Sequence, residues 1–183
     1  NPAYRPAMGE MHRVLQLHST DQPEVRALAA EMRAIADSYG LAGLGERVLL
    51  GEIYLPIDRL MHYYGRERAG VHLPLNFQLI DAPWQASALA GLIAGYEAAL
   101  PPGAWPNWVL GNHDRPRIAS KGGEAQARVA AMLLLTLRGT PTLYYGDELG
   151  LSDGRIPPDR SQDRRDLREP GLGLGRDPGR TAM

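Results

Sequence analysis

Apolar and polar positions alternate along this chain between two periods, one of helices and one of short buried strands. Val25, Leu28, Met32, Ile35 and Ala36 recur at the spacing of one helix face. Thr20 or Asp21 is expected to cap that helix, with Pro23 in its first turn and Gly40 just past its end. Arg47 to Ile53 is a short apolar run between Gly45 and Pro56 and reads as a buried strand. Pro56 to Tyr64 reads as a short helix closed by Gly65, and Leu73 to Ile80 as a second strand. A helix over 83–100 ends at Pro101-Pro102, and Trp108 to Leu110 form a third strand. A polar loop then leads to an apolar helix over 124–138, ended by Gly139, and Pro141 to Tyr145 form a fourth strand. Residues 1–20 read as a loop. The segment 146–183, and 151–183 above all, is rich in Gly and Pro and reads as a long irregular loop.

Strands that alternate with helices at the length of a βαβ unit predict an α/β fold with a parallel sheet covered by helices. A doubly wound sheet and an eight-stranded barrel both fit this alternation. No GxGxxG and no GxxxxGK[ST] follows any strand, which disfavours nucleotide binding. Gly122-Gly123 is the one candidate for a phosphate loop.

Composition narrows the field further. The 183 residues are 44% hydrophobic and 22% charged, typical of a globular domain. A net charge of −1 gives no field that favours nucleic acid or an anionic membrane. Lys121 is the one lysine; the other basic residues are scattered arginines. With no cysteine, disulfides, zinc–thiolate sites and thiol nucleophiles are excluded, and a cytoplasmic location is the expectation. No apolar run is long enough to span a bilayer. Asn1 at one end and the Gly/Pro/Arg-rich stretch at the other give the expectation that the chain is a fragment of a longer domain.

Acidic residues recur just past the apolar runs. Glu52 follows Val48 to Gly51, Asn112-His113-Asp114 follows Trp108 to Gly111, and Asp147-Glu148 follows Leu143 to Gly146. In a (β/α)8 barrel the loops after the strands carry the chemistry. A carboxylate there loses solvent, so its pKa is expected to rise. A second acid nearby drives the two values apart, as cleavage of a glycosidic bond requires. Taken singly, Glu52 also fits a strand-end acid paired with Arg, and the Asn-His-Asp and Gly-Asp-Glu stretches also fit turns. Asp153, Asp159 and Asp163 alternate with arginines and are expected to be solvated rather than to cage a metal.

Two of these stretches resemble motifs of the α-amylase family, glycoside hydrolase family 13. Arg47-Val48-Leu49-Leu50-Gly51-Glu52-Ile53 is similar to its fifth-strand motif, and Trp108-Val109-Leu110-Gly111-Asn112-His113-Asp114 to its seventh. The stretch Gly139 to Gly150 resembles the eighth strand and the loop after it, and His72 to Phe77 the sixth strand. Gly175 to Met183 resembles a segment of the oligosaccharide-cleaving branch, with Ala182 where that branch has Pro. Asn1 to Pro6 and Gly51 to Pro56 point to the same branch. The resemblance implies part of a (β/α)8 TIM barrel, about strands five to eight with their helices. It implies Glu52 as proton donor and Asp114 as the acid that stabilises the transition state. Asn112, His113 and Arg117 would be substrate-binding.

The family's nucleophile, an Asp in a Gly-x-Arg-x-Asp setting, is missing; Arg164-Arg165-Asp166 lies in the polar tail. The implied activity is that of a retaining α-glucosidase acting on short α-linked glucosides, without a cofactor, and this chain alone is expected to be inactive. A transglycosylase on the same barrel and a non-catalytic relative are the alternatives.

Overall fold

The computed structural model describes residues 1–9 and 12–183. The chain is α/β with a parallel sheet. Its helices are α1 (Pro23–Leu41), α2 (Ile57–Leu60), α3 (Gln78–Asp81), α4 (Ala86–Ala99), α5 (Ile118–Thr136) and α6 (Arg164–Arg168). Its strands are β1 (Leu50–Gly51), β2 (Leu73–Asn76), β3 (Asn107–Val109) and β4 (Thr140–Thr142). They lie side by side in chain order, every pair parallel. A doubly wound sheet reverses its strand order at a switch point. This sheet advances one way, as a barrel does.

The chain divides into two compact units. The sheet unit is Asp21–Leu110 with Leu133–Thr142, and the loop unit is Asn1–Thr20, Gly111–Met132 and Leu143–Met183.

The core of the sheet unit forms around β3, where Asn107, Trp108 and Val109 are all buried. Trp108 packs on Tyr96 of α4 with ring centroids 5.1 Å apart and donates its Nε1–H to the Arg138 carbonyl. The Tyr64 and Tyr96 hydroxyls meet at 3.2 Å, and Tyr64 donates to the Trp105 carbonyl, so both buried hydroxyls are satisfied. Phe77, Ile80 and Val109 pack together beside Leu75, and Phe77 stacks on Tyr54 at 4.1 Å. Asn107 is wholly buried and exchanges hydrogen bonds with Thr142, tying β3 to β4.

Several elements differ from their expected extents. The second strand stops at Asn76 instead of Ile80. The Asn76 side chain accepts the Gln78 N–H at 3.1 Å, which starts the turn that becomes α3. The cap of α1 is Gln22, without a side-chain bond, and Gly40 lies inside the helix. Residue Asp21 instead pairs with Arg59, with its backbone at φ +54°. Helix α5 begins six residues earlier than expected and breaks at Gly123, whose φ of +78° is a conformation open to glycine at little cost. The tail expected to be irregular holds α6 and 3-10 turns at Asp147–Leu149, Pro158–Arg160 and Asp177–Arg180.

The apolar stripe of α1 is exposed: Val25, Leu28, Met32 and Ile35 each keep about half or more of their surface, and no α1 residue is buried. Among the described residues no helix is long and apolar enough to cross a membrane.

Candidate active site

Glu52 belongs to the sheet unit and directly follows β1. The pairing of Leu50 with Leu73 and Gly51 with Pro74 fixes where that strand ends. The Glu52 side chain is exposed, not desolvated as its position predicted. A strand of two residues offers little surface to bury the acid that follows it.

Asn112, His113, Asp114 and Arg117 belong to the loop unit, just after β3. The Asn112 side chain accepts the Asp114 N–H at 3.0 Å and so sets the turn that presents Asp114. Asp114 is about three-quarters buried, and its Oδ1 is the focus of three cations or potential cations. Arg176 Nη1 donates to it at 2.8 Å and Arg180 Nη2 at 2.9 Å, with His113 Nε2 at 3.5 Å. Arg180 also donates its Nε–H to the His113 carbonyl at 2.8 Å.

Burial acts to raise the Asp114 pKa. The Arg176 hydrogen bond and the charges of His113, Arg176 and Arg180 outweigh it, so the carboxyl sits below the ordinary carboxylate value. This reverses the expected upward shift, because the tail supplies two guanidinium groups that a reading of the strand end alone leaves out.

The acid that does move up is Asp147, in the loop after β4. Burial dominates there, and the nearby Arg117 charge only partly offsets it. A side chain at Gly111 would crowd Asp147, since a Cβ there would lie 3.2 Å from Asp147 Oδ2.

Arg117, expected to bind substrate, is buried, with only 1% of its surface exposed. Its guanidinium lies 4.8 Å from the ring centroids of both Tyr144 and Tyr145, and its Nη1 donates to the Tyr145 carbonyl at 2.6 Å. Its backbone N–H donates to Asp153, whose own N–H donates to Ser120. Arg117 therefore ties the start of α5 to the segment after β4 inside the loop unit. Asp153 is a structural acceptor rather than a solvated charge.

Asp163 was also expected to be solvated, but it is 4% exposed. Its two oxygens accept Nε and Nη2 of Arg176 at 2.7 and 2.9 Å, the Arg176 N–H at 2.7 Å and the Arg165 N–H at 3.1 Å. The Arg176 hydrogen bond holds its carboxyl far below the usual range. The sequence signal for this pair was weak, since Asp163 and Arg176 stand 13 residues apart in a stretch dense with both charges.

Residues 6–183 match the family model for the α-amylase catalytic domain. The chain belongs to the α-amylase family.

Within this family it is 34% identical over 157 residues to a salivary alpha-glucosidase of Anopheles gambiae, covering 84% of this chain and 25% of that protein. It is 32% identical over 173 residues to an alpha-glucosidase of Apis mellifera, covering 91% and 29%. Among solved structures it resembles the α-glucosyl transfer enzyme XgtA at 31% identity, with a TM-score of 0.77, over 88% of this chain and 30% of that one. The chain thus spans about a quarter to a third of the α-amylase relatives it matches.

Proposed function

We propose that these residues form part of a retaining α-glucosidase that cleaves short α-linked glucosides such as maltose or sucrose-type sugars. The four strands are then the fifth to eighth of a (β/α)8 barrel, and the sequential parallel order of β1 to β4 supports that placement. The observation that carries the reading is Asp114, a partly buried carboxylate kept ionised by Arg176, Arg180 and His113.

Glycoside cleavage passes through a sugar with oxocarbenium character, which an ionised carboxylate stabilises and a protonated one does not. In the proposed mechanism Glu52 protonates the leaving oxygen and then takes a proton from the incoming water. Asp114 and His113 hold ring hydroxyls, more tightly as the ring flattens. The nucleophile comes from residues outside this chain, which carries no Gly-x-Arg-x-Asp after a strand. No cofactor is required.

Glu52→Gln in the intact barrel protein tests the assignment with a nitrophenyl α-glucoside as substrate. Loss of a positioned proton donor is expected to lower kcat by roughly 10²–10⁴-fold. Unchanged turnover would remove Glu52 from the mechanism.

Transfer to a sugar acceptor is the second reading, favoured by the structural likeness to an enzyme of α-glucosyl transfer. The first half-reaction is shared, so product analysis with sucrose or maltose separates water from sugar as the acceptor.

A further inference from the structure

We propose that Asp163 is a positioning residue for this reaction: it fixes the Arg176 guanidinium so that one remaining N–H is aimed at Asp114. The inference rests on the role proposed above for Asp114 and adds a residue to it. A guanidinium has five N–H donors in a rigid plane. Asp163 takes two of them on one edge, at Nε (2.7 Å) and Nη2 (2.9 Å), in the paired geometry that holds an Arg plane in one orientation. The donor left on the far side, Nη1, reaches Asp114 Oδ1 at 2.8 Å.

Asp163 is itself enclosed and bonded on both oxygens. Its side chain has no exposed surface, and it caps α6 by accepting the Arg165 N–H. It also accepts the Arg176 backbone N–H, so both ends of the Arg176 residue are tied to one carboxylate. Asp177 holds the same turn closed by accepting the backbone N–H groups of Gln162 (2.6 Å) and Asp163 (2.9 Å). The chain from 161 to 177 is thereby folded around a single bridging cation, and that cation faces the acid of another loop.

Arg180 cannot substitute for this arrangement. It reaches Asp114 by Nη2, but its Nε–H goes to a backbone carbonyl, that of His113, and its side chain is one-third exposed. A more solvated guanidinium holds its partner's charge less firmly. Among the described residues of the loop unit, the charged groups facing Asp114 are His113 from its own loop and Arg176 and Arg180 from the tail, and of these Arg176 is locked by a second, buried carboxylate.

Asp163→Asn in the intact barrel protein tests this. Asn offers an N–H where Arg176 needs an acceptor, so the fork is broken while the volume is kept. The expected result is a loss of kcat/KM of about tenfold or more at neutral pH, mostly in kcat, with the acid limb of the pH–rate profile moved upward by about half a unit or more as Asp114 loses its fixed cation. A purely structural Asp163 would lower the unfolding midpoint and leave the acid limb in place, and that outcome overturns the inference.

Arg176→Lys carries the same test if the Asp163 variant does not fold, because one ammonium cannot span both carboxylates as a fork does. It should move the acid limb in the same direction, and an unmoved limb again counts against the proposal. Glu52→Gln run in parallel separates the two levels. If that variant keeps full activity, the site assignment under the proposed function has failed at Glu52; if it is inactive while both tail variants keep the parental profile, only the role of Asp163 has.

Discussion

The two units of this chain are held together by different physics. The sheet unit is organised by burial: Trp108, Tyr96, Tyr64, Leu60 and Val109 are almost entirely withdrawn from solvent, and its buried hydroxyls and Asn107 are paired. The loop unit is organised by charge, with Asp114, Asp163 and Asp177 bound by guanidinium or backbone N–H groups and Arg117 sunk between two tyrosines. Apolar burial is indifferent to pH, whereas a carboxylate network is not. The region that carries Asp114 is therefore the one whose integrity tracks protonation, and the region that carries Glu52 is the one whose integrity tracks packing.

Trp108→Ala is the strongest way to break that contrast. It removes the side chain at the centre of β3 along with its packing on Tyr96 and its bond to the Arg138 carbonyl. A cost of about 3–5 kcal/mol is expected for such a truncation, measured by chemical denaturation. The loss should be the same at pH 5 and pH 8.

Next in size is the acid response of the loop unit. The carboxyls of Asp114, Asp163 and Asp177 are all held below their ordinary value. Such groups contribute stability that is fully present above the unfolded carboxylate range, near pH 4, and lost as pH falls through the folded values. Local protection measured by amide exchange over 161–180 is expected to drop below about pH 4, while protection at β3 persists. Equal loss in both places would show that the charge network and the packed sheet are one cooperative block.

Asp147 should behave with the opposite sign. Its pKa is raised by burial against the Arg117 charge, so the ionised form carries a penalty that grows as pH rises through the folded value. Asp147→Asn is expected to gain stability relative to the parent from pH 4 towards pH 8, read as a widening gap in unfolding midpoint. A narrowing gap would mean that the Arg117 pairing at 3.7 Å outweighs burial.

The smallest effect belongs to the exposed pair Glu124–Arg128 on α5, whose side chains are 73% and 80% exposed. Glu124→Gln should change stability by only about 0.3–0.5 kcal/mol. A larger change there would mean that surface charge matters as much as the buried carboxylates do.

Much of the fold was legible in the residues because hydrophobic period and glycine or proline punctuation act locally. Apart from α3, the order of strands and helices from α1 to β4 follows from such signals at Pro23, Gly65, Pro101-Pro102 and Gly139. The turn after β2 was not legible, since an Asn side chain that captures an N–H two residues on looks the same in sequence as one that points to solvent. The exposure of the α1 stripe was not legible either, because period reveals a face and not what meets it.

At the site, the strand-end placement of Glu52 and Asp114 could be read from sequence. The direction of the Asp114 shift could not, because its cause lies 62 residues away at Arg176. Arg117 illustrates the same limit: the family resemblance implies a substrate-binding arginine there, and the depth at which its guanidinium is buried against the tyrosines at 144 and 145 is not written in the local sequence.

Arg176 stands between two acids that belong to different stretches of chain, one buried and one facing the proposed sugar. If a sugar binds at Asp114 as proposed, its occupancy and the order of the tail are thermodynamically reciprocal: a hydroxyl that competes with Arg176 for the Asp114 oxygen loosens the tail. On that reading, the sequence from Ser161 to Arg180 would report, as a passive gauge, on what the carboxylate across from it holds.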